Sequence, residues 1–115
     1  MSLPEMAQEV ARLSRLLDQG LAALRDQARE MADAESEYRQ AKAMAWMQAP
    51  DGTVPEREAW VNGQTSDQRH RRDLAEGLRQ AALEAVRSRR TQVSALQSLL
   101  AADRAEAEFV RTGPQ

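Results

Sequence analysis

Residues 3–45 read LPEMAQEVARLSRLLDQGLAALRDQAREMADAESEYRQAKAMA. Within this stretch Leu3, Val10, Leu17, Leu24, Met31, Tyr38 and Ala45 fall one heptad apart. A second line, three residues on, holds Met6, Leu13, Gly20, Gln27, Ala34 and Ala41. Residues at this spacing share one seam of a helix. A strict seven-residue repeat makes that seam supercoil around a partner helix. The spacing predicts a coiled-coil helix over about residues 4–47. Ser2 is placed to cap it, with Pro4 in the first turn and Glu5 completing a capping box. Gly20 is the one weak position, costing roughly 1 kcal/mol relative to Ala.

The strongest break follows at once. Gln48 to Glu56 contains two prolines, Pro50 and Pro55, and the pair Asp51-Gly52. This predicts a turn over residues 48–54 and a second helix over about 55–110, opened by a capping box from Thr53 to Glu56. A weak point is expected at residues 62–66. Asn62-Gly63 ends a short helix there, with Thr65 or Ser66 capping a restart, or Gly63 is tolerated in one continuous helix, the reading preferred on sequence. Gly113 and Pro114 are expected to terminate the helix.

On this second helix Leu74, Ala81, Ser88, Ala95, Ala102 and Phe109 form one heptad line. Leu78, Ala85, Gln92 and Leu99 form the adjoining one. Small residues opposite the larger ones of the first helix suit close approach. The short linker makes the pair antiparallel. The expected fold is all-α, a single domain over residues 1–115 in which two long helices form an antiparallel hairpin. Val86, Val93 and Leu100 make a further apolar stripe, again seven apart. That stripe predicts burial between two protomers, a homodimer forming a four-helix bundle, or against another protein.

Composition agrees with long helices: aromatic residues are 3% and charged residues 30% of 115. A net charge of −2 gives no general attraction to nucleic acid or anionic membrane. Cysteine is absent, which excludes disulfides and thiolate chemistry. No apolar run approaches the ~20 residues of a membrane span, and no signal peptide is visible at the N-terminus. The cytoplasm is the expected compartment.

Nothing reads as an active site, so the chain is expected not to be an enzyme and to hold no cofactor or metal. The lone His70 sits among Arg69, Arg71 and Arg72 and reads as a solvated surface residue. The carboxylates Asp33, Glu35 and Glu37 cannot meet Asp103, Glu106 and Glu108 in an antiparallel hairpin. The arginines say more. Between Gln64 and Arg90 seven arginines face the four acids Asp67, Asp73, Glu76 and Glu84. Arg69, Arg71, Arg72, Arg79, Arg87 and Arg90 are therefore candidate contacts to DNA phosphates or to a partner. The competing and preferred expectation pairs these arginines with Asp26, Glu30, Asp33, Glu35 and Glu37 of the first helix. Such pairs set helix register, and no aromatic residues are interleaved to stack bases. Trp46 and Trp60 flank the turn; they cap the end of the bundle or, less in keeping with their setting, form a protein-binding tip. With Val86, Val93 and Leu100 they complete the candidate protein-binding residues.

Three stretches carry a resemblance: Tyr38 to Ala45, the helix start Thr53-Val54-Pro55-Glu56-Arg57, and Leu96 to Pro114. With arginine making up fifteen of sixteen basic residues, a mark of GC-rich coding, the chain resembles small helical proteins of actinobacterial tailed phages and prophages. The resemblance implies a non-enzymatic interaction protein, accessory to DNA recombination or replication, with a recombinase, nuclease or single-strand-binding protein as partner. Inhibition of a host enzyme or defence complex is the alternative. The family supplies no agreed functional residues. A weaker similarity is to the Trp-x-Gly family of small secreted helical hairpins. Here Trp60-Val61-Asn62-Gly63 has one residue too many, and follows the turn.

Overall fold

The computed structural model describes residues 1–113; the expected stop at Pro114 lies outside them. The described residues form three helices and no strand: α1 over Leu3–Gln48, α2 over Val54–Gln64 and α3 over Ser66–Thr112. The long helices fit a helical hairpin.

Each helix end has a chemical cause. Ser2 Oγ accepts from Glu5 N at 3.2 Å, and Ser2 O accepts from Met6 N at 2.9 Å, which closes the first turn of α1. At α2, Thr53 adopts extended backbone and its Oγ1 accepts from Glu56 N at 3.3 Å, with Pro55 inside the first turn. At the end of α3, Gly113 has φ 68° and its N–H donates to Phe109 O at 2.8 Å. That is the left-handed cap a glycine adopts without strain.

The second helix is not continuous. It is divided at Thr65, with φ −112° and ψ 13°. The Thr65 hydroxyl donates to Val61 O at 2.8 Å, and the Thr65 N–H donates to the same carbonyl at 3.0 Å. A hydroxyl that bonds back one turn competes with the helical pattern. The interruption is one residue long, since Arg69 N still donates to Thr65 O at 3.0 Å.

The chain divides into two compact units, one of residues 1–23 with the chain from Leu83 onward, the other Leu24–Ala82. In the first unit Met6 and Leu13 of α1 are buried, as are Val86, Val93 and Leu100 of α3. A Cβ on Gly20 would stand 3.4 Å from Val86 Cγ2, so α1 and α3 are in contact at this level. With Gly20 level with Val86, antiparallel helices rising ~1.5 Å per residue put Leu13 level with Val93 and Met6 with Leu100. In the second unit Ala34, Tyr38 and Ala45 of α1 are buried, with Val61, Thr65 and Ala75 from α2, the junction and α3.

Both heptad lines expected on α1 face inward: every member is buried or partly buried. The seam expected on the second helix is displaced by one residue. Leu74 and Leu78 are exposed in the second unit, as are Leu99 and Phe109 in the first. The inward positions are instead Gln68, Arg72, Ala75, Arg79 and Ala82 in one unit and Val86, Arg89, Val93, Leu96 and Leu100 in the other. Val86 is 2% exposed and Val93 8%. The stripe assigned to a protomer interface is thus the intrachain core of the first unit. One residue corresponds to about 100° around a helix of 3.6 residues per turn, enough to turn an outer face inward.

Candidate functional site

The arginine segment is built on α3, and most of its charge is answered within the chain. Arg71 Nη2 donates to Glu30 Oε1 at 2.7 Å and its Nη1 donates to Glu37, so one guanidinium ties two acids of α1. Those two bonds, Glu30 first, hold the Arg71 guanidinium above its ordinary range. Arg72 donates to Asp73 Oδ1 at 2.8 Å, lies 3.7 Å from Glu35 Oε2, and stands 4.5 Å over the Tyr38 ring. The bond to Asp73 is the main cause of its raised pKa. Arg72 occupies an inward position because its stem packs on the seam while its head stays paired.

Arg79 donates to Glu76 at 2.8 Å. That bond raises Arg79 and holds the Glu76 carboxyl below the usual carboxylate range. Arg69 reaches Asp73 at 4.0 Å, and Arg87 pairs with Glu84 at 3.1 Å. Of the acids on α1 considered as partners, Glu30, Glu35 and Glu37 meet these arginines. Asp26 and Asp33 have no ion pair among the described residues. Arg89 and Arg90 likewise have no ion pair among the described residues.

At the turn, Trp46 and Trp60 are both partly buried. The Arg57 guanidinium lies 5.6 Å from the Trp46 ring centre, and its Nη2 donates to Trp46 O at 3.2 Å. Arg57 went unassigned on sequence. Its place one turn into a helix that follows a Trp-bearing helix end is the only signal that could have marked it. Met44, Met47 and Val54 project to solvent beside this pair. The packed Trp46 suits an end cap, while the methionines are the exposed apolar groups of the tip.

Chemistry beyond binding has little material. His70 is exposed. Among the described residues no three His, Asp or Glu side chains converge on a metal-sized site. An open groove of the second unit is lined by Ala28, Met31, Ala32, Glu35, Arg39, Glu76 and Arg79. Its charged lining residues are paired with one another, Arg39 with Glu35 and Arg79 with Glu76. No helix among the described residues is long and apolar enough to cross a membrane. Comparison with protein-family models, with curated proteins and with solved structures gives no match.

What stands out for binding is therefore an apolar face on the outside of α3. It carries Leu74, 54% exposed, and Leu78 in the second unit. In the first unit it carries Leu99, 56% exposed, and Phe109. Isolated exposed leucines are ordinary on a protein surface, but within each unit these large apolar side chains share one face of α3, which another helix could pack against.

Proposed function

We propose that this chain is a non-enzymatic interaction protein of a tailed phage or prophage, working in the host-cell cytoplasm as an accessory to DNA recombination or replication. It acts through helical contacts with a recombinase, nuclease or single-strand-binding protein. Pairing of two copies into a four-helix arrangement belongs to the same reading. The observation that carries it is a division of labour on α3. Arg69, Arg71, Arg72, Arg79 and Arg87 are engaged by carboxylates of the same chain, while large apolar side chains face solvent. A surface that bound phosphates would keep its cations free. A surface that bound helices would present a heptad stripe.

The reading is tested by titrating the purified chain into a recombinase, nuclease and single-strand-binding protein of the same phage, followed by calorimetry. A complex that Leu74→Glu or Leu99→Glu weakens at least tenfold supports it. Absence of binding to all three refutes it. Anisotropy of labelled DNA at ~150 mM salt separates the direct route, since phosphate contacts are already weakened there. Firm binding would move the contact to the arginines.

A further inference from the structure

The outer stripe of the first unit has a charge pattern that selects its occupant. From Ala85 to Phe109 every third and fourth residue alternately lies on this stripe, and all of them are exposed. Around its N-terminal half Arg87, Arg89 and Arg90 outnumber Glu84, and around its C-terminal half Asp103, Glu106 and Glu108 outnumber Arg104 and Arg111. Arg89, Arg90, Asp103 and Glu106 have no ion-pair partner among the described residues. One half of the stripe is thus net cationic and the other net anionic, with Arg89 and Asp103 two heptads apart.

From this we infer that α3 pairs with α3 of a second copy, antiparallel and about a twofold axis near Gln97. An isologous contact brings each half against the opposite half of its copy. In an antiparallel pair, first-line residues of the seam meet second-line residues of the partner. The register centred on Gln97 sets Phe109 against Ala85 of the copy and Leu99 against Ala95. Ala102 meets Gln92, and Glu106 meets Ser88. Each large side chain falls on an alanine, the small-against-large match that lets helices approach closely. Along the edge where the stripe borders the inward line, the partly buried Arg89 falls level with the partly buried Asp103 of the copy, twice by symmetry. Glu106 falls level with the Arg87–Arg90 cluster. A parallel, in-register pair would instead set Arg89 against Arg89 and Asp103 against Asp103. Like charges so placed exclude that arrangement.

The stripe spans about 36 Å of helix and presents fewer residues than the roughly 20–30 a side of a standard interface. The dimer therefore belongs to the weak, reversible class. The inference rests on the proposed function only in treating this face of α3 as a contact surface.

The test is light scattering of the whole chain at about 0.5 mM, where an association with a dissociation constant near 0.1 mM is mostly dimer. The wild type should have a mass near twice 12.8 kDa. Arg89→Asp alone and Asp103→Arg alone should each fall to the single-chain mass, with helicity by circular dichroism unchanged. An equimolar mixture of the two should recover the double mass, because both flanking pairs are then restored between unlike chains. The double variant Arg89→Asp/Asp103→Arg should recover it too. Leu99→Glu, on an exposed position, should also give the single-chain mass, which guards against a folding defect in either charge variant. A wild type that stays at the single-chain mass overturns the inference. So do single reversals that remain dimeric, or a mixture that does not reassociate. A monomeric wild type that still captures one of the DNA-processing partners would refute the self-pairing and leave the partner-binding role of the proposed function standing.

Discussion

Two carboxylates placed six residues apart on α3 should have very unequal effects on stability. Val93 is 8% exposed and Leu99 is 56% exposed. Val93→Asp removes a buried side chain, worth about 1.5–3 kcal/mol. It also puts a carboxylate into an apolar layer at the level of Leu13, costing about 1–3 kcal/mol more when left unpaired. Arg89 and Arg90, one turn away on the same helix, offer partial relief and set the expected loss near the lower end, about 3 kcal/mol. For a chain of this length each kcal/mol moves the midpoint by about 4 °C, so the melting curve at 222 nm should fall by about 12 °C. Leu99→Asp alters a side chain already in water and should change stability by no more than about 0.5 kcal/mol, or about 2 °C. The melts are run at a few micromolar, so that weak self-association adds nothing to the midpoint. If Leu99→Asp costs as much as Val93→Asp, the inward face of α3 is the one carrying Leu78 and Leu99, and the packing described for the first unit is wrong.

Four further outcomes are expected. Gly20→Ala should stabilise by up to about 1 kcal/mol through helix propensity, because a Cβ meets Val86 Cγ2 at an ordinary 3.4 Å; Gly20→Leu should destabilise by more than that gain, and a neutral result in thermal melts would remove this contact. Arg57→Ala should red-shift tryptophan emission and cost about 1–2 kcal/mol, from a lost hydrogen bond and a lost cation–π contact, with Arg57→Lys intermediate. Glu76 has its native pKa lowered by Arg79, so its contribution is complete above the ordinary value of ~4.3 and fades as pH falls through the lowered native value; melts from pH 7 to 3 should show Glu76→Gln converging with the wild type in acid, and a gap that widens in acid would contradict the pairing. Replacing Arg69, Arg71, Arg72 and Arg79 together by Gln should lower the melting midpoint modestly at low salt, with wild-type DNA binding undetectable at ~150 mM salt.

Much of this architecture is local and could be read from residue order. The α1 seam is legible because its two lines are dominated by apolar and small residues, and both face inward. The helix ends at Ser2, Thr53 and Gly113 are legible because a cap needs only a few adjacent atoms. The break at residues 49–53 follows from Pro50, the Asp51-Gly52 pair and the Thr53 cap ahead of Pro55. The interruption near Gly63 is local in origin too, but its position at Thr65 is set by a hydroxyl bonding back to Val61 O, which competes with a helical bond of similar strength.

The face that α3 turns inward is a different kind of fact. Two heptad lines one residue apart both carry apolar side chains, and the one richer in leucine and alanine is the exposed one. The inward line includes Gln68, Arg72, Arg79 and Arg89, which apolar counting rejects. The arginine stems pack along the seam while their heads reach outward, as Arg72 does over Tyr38 and beside Glu35, whereas Gln68 Oε1 is buried without a hydrogen-bond partner among the described residues. Only the presence of α1 makes those positions favourable. The same holds for the arginines as a set: spacing along α3 shows a cationic segment, but Arg71 is answered by Glu30 and Glu37, more than thirty residues away in the chain. Helix, cap and turn were determined by sequence because their energies come from neighbours in the chain. Register and charge pairing were decided by tertiary structure, because their energies come from the helix packed alongside.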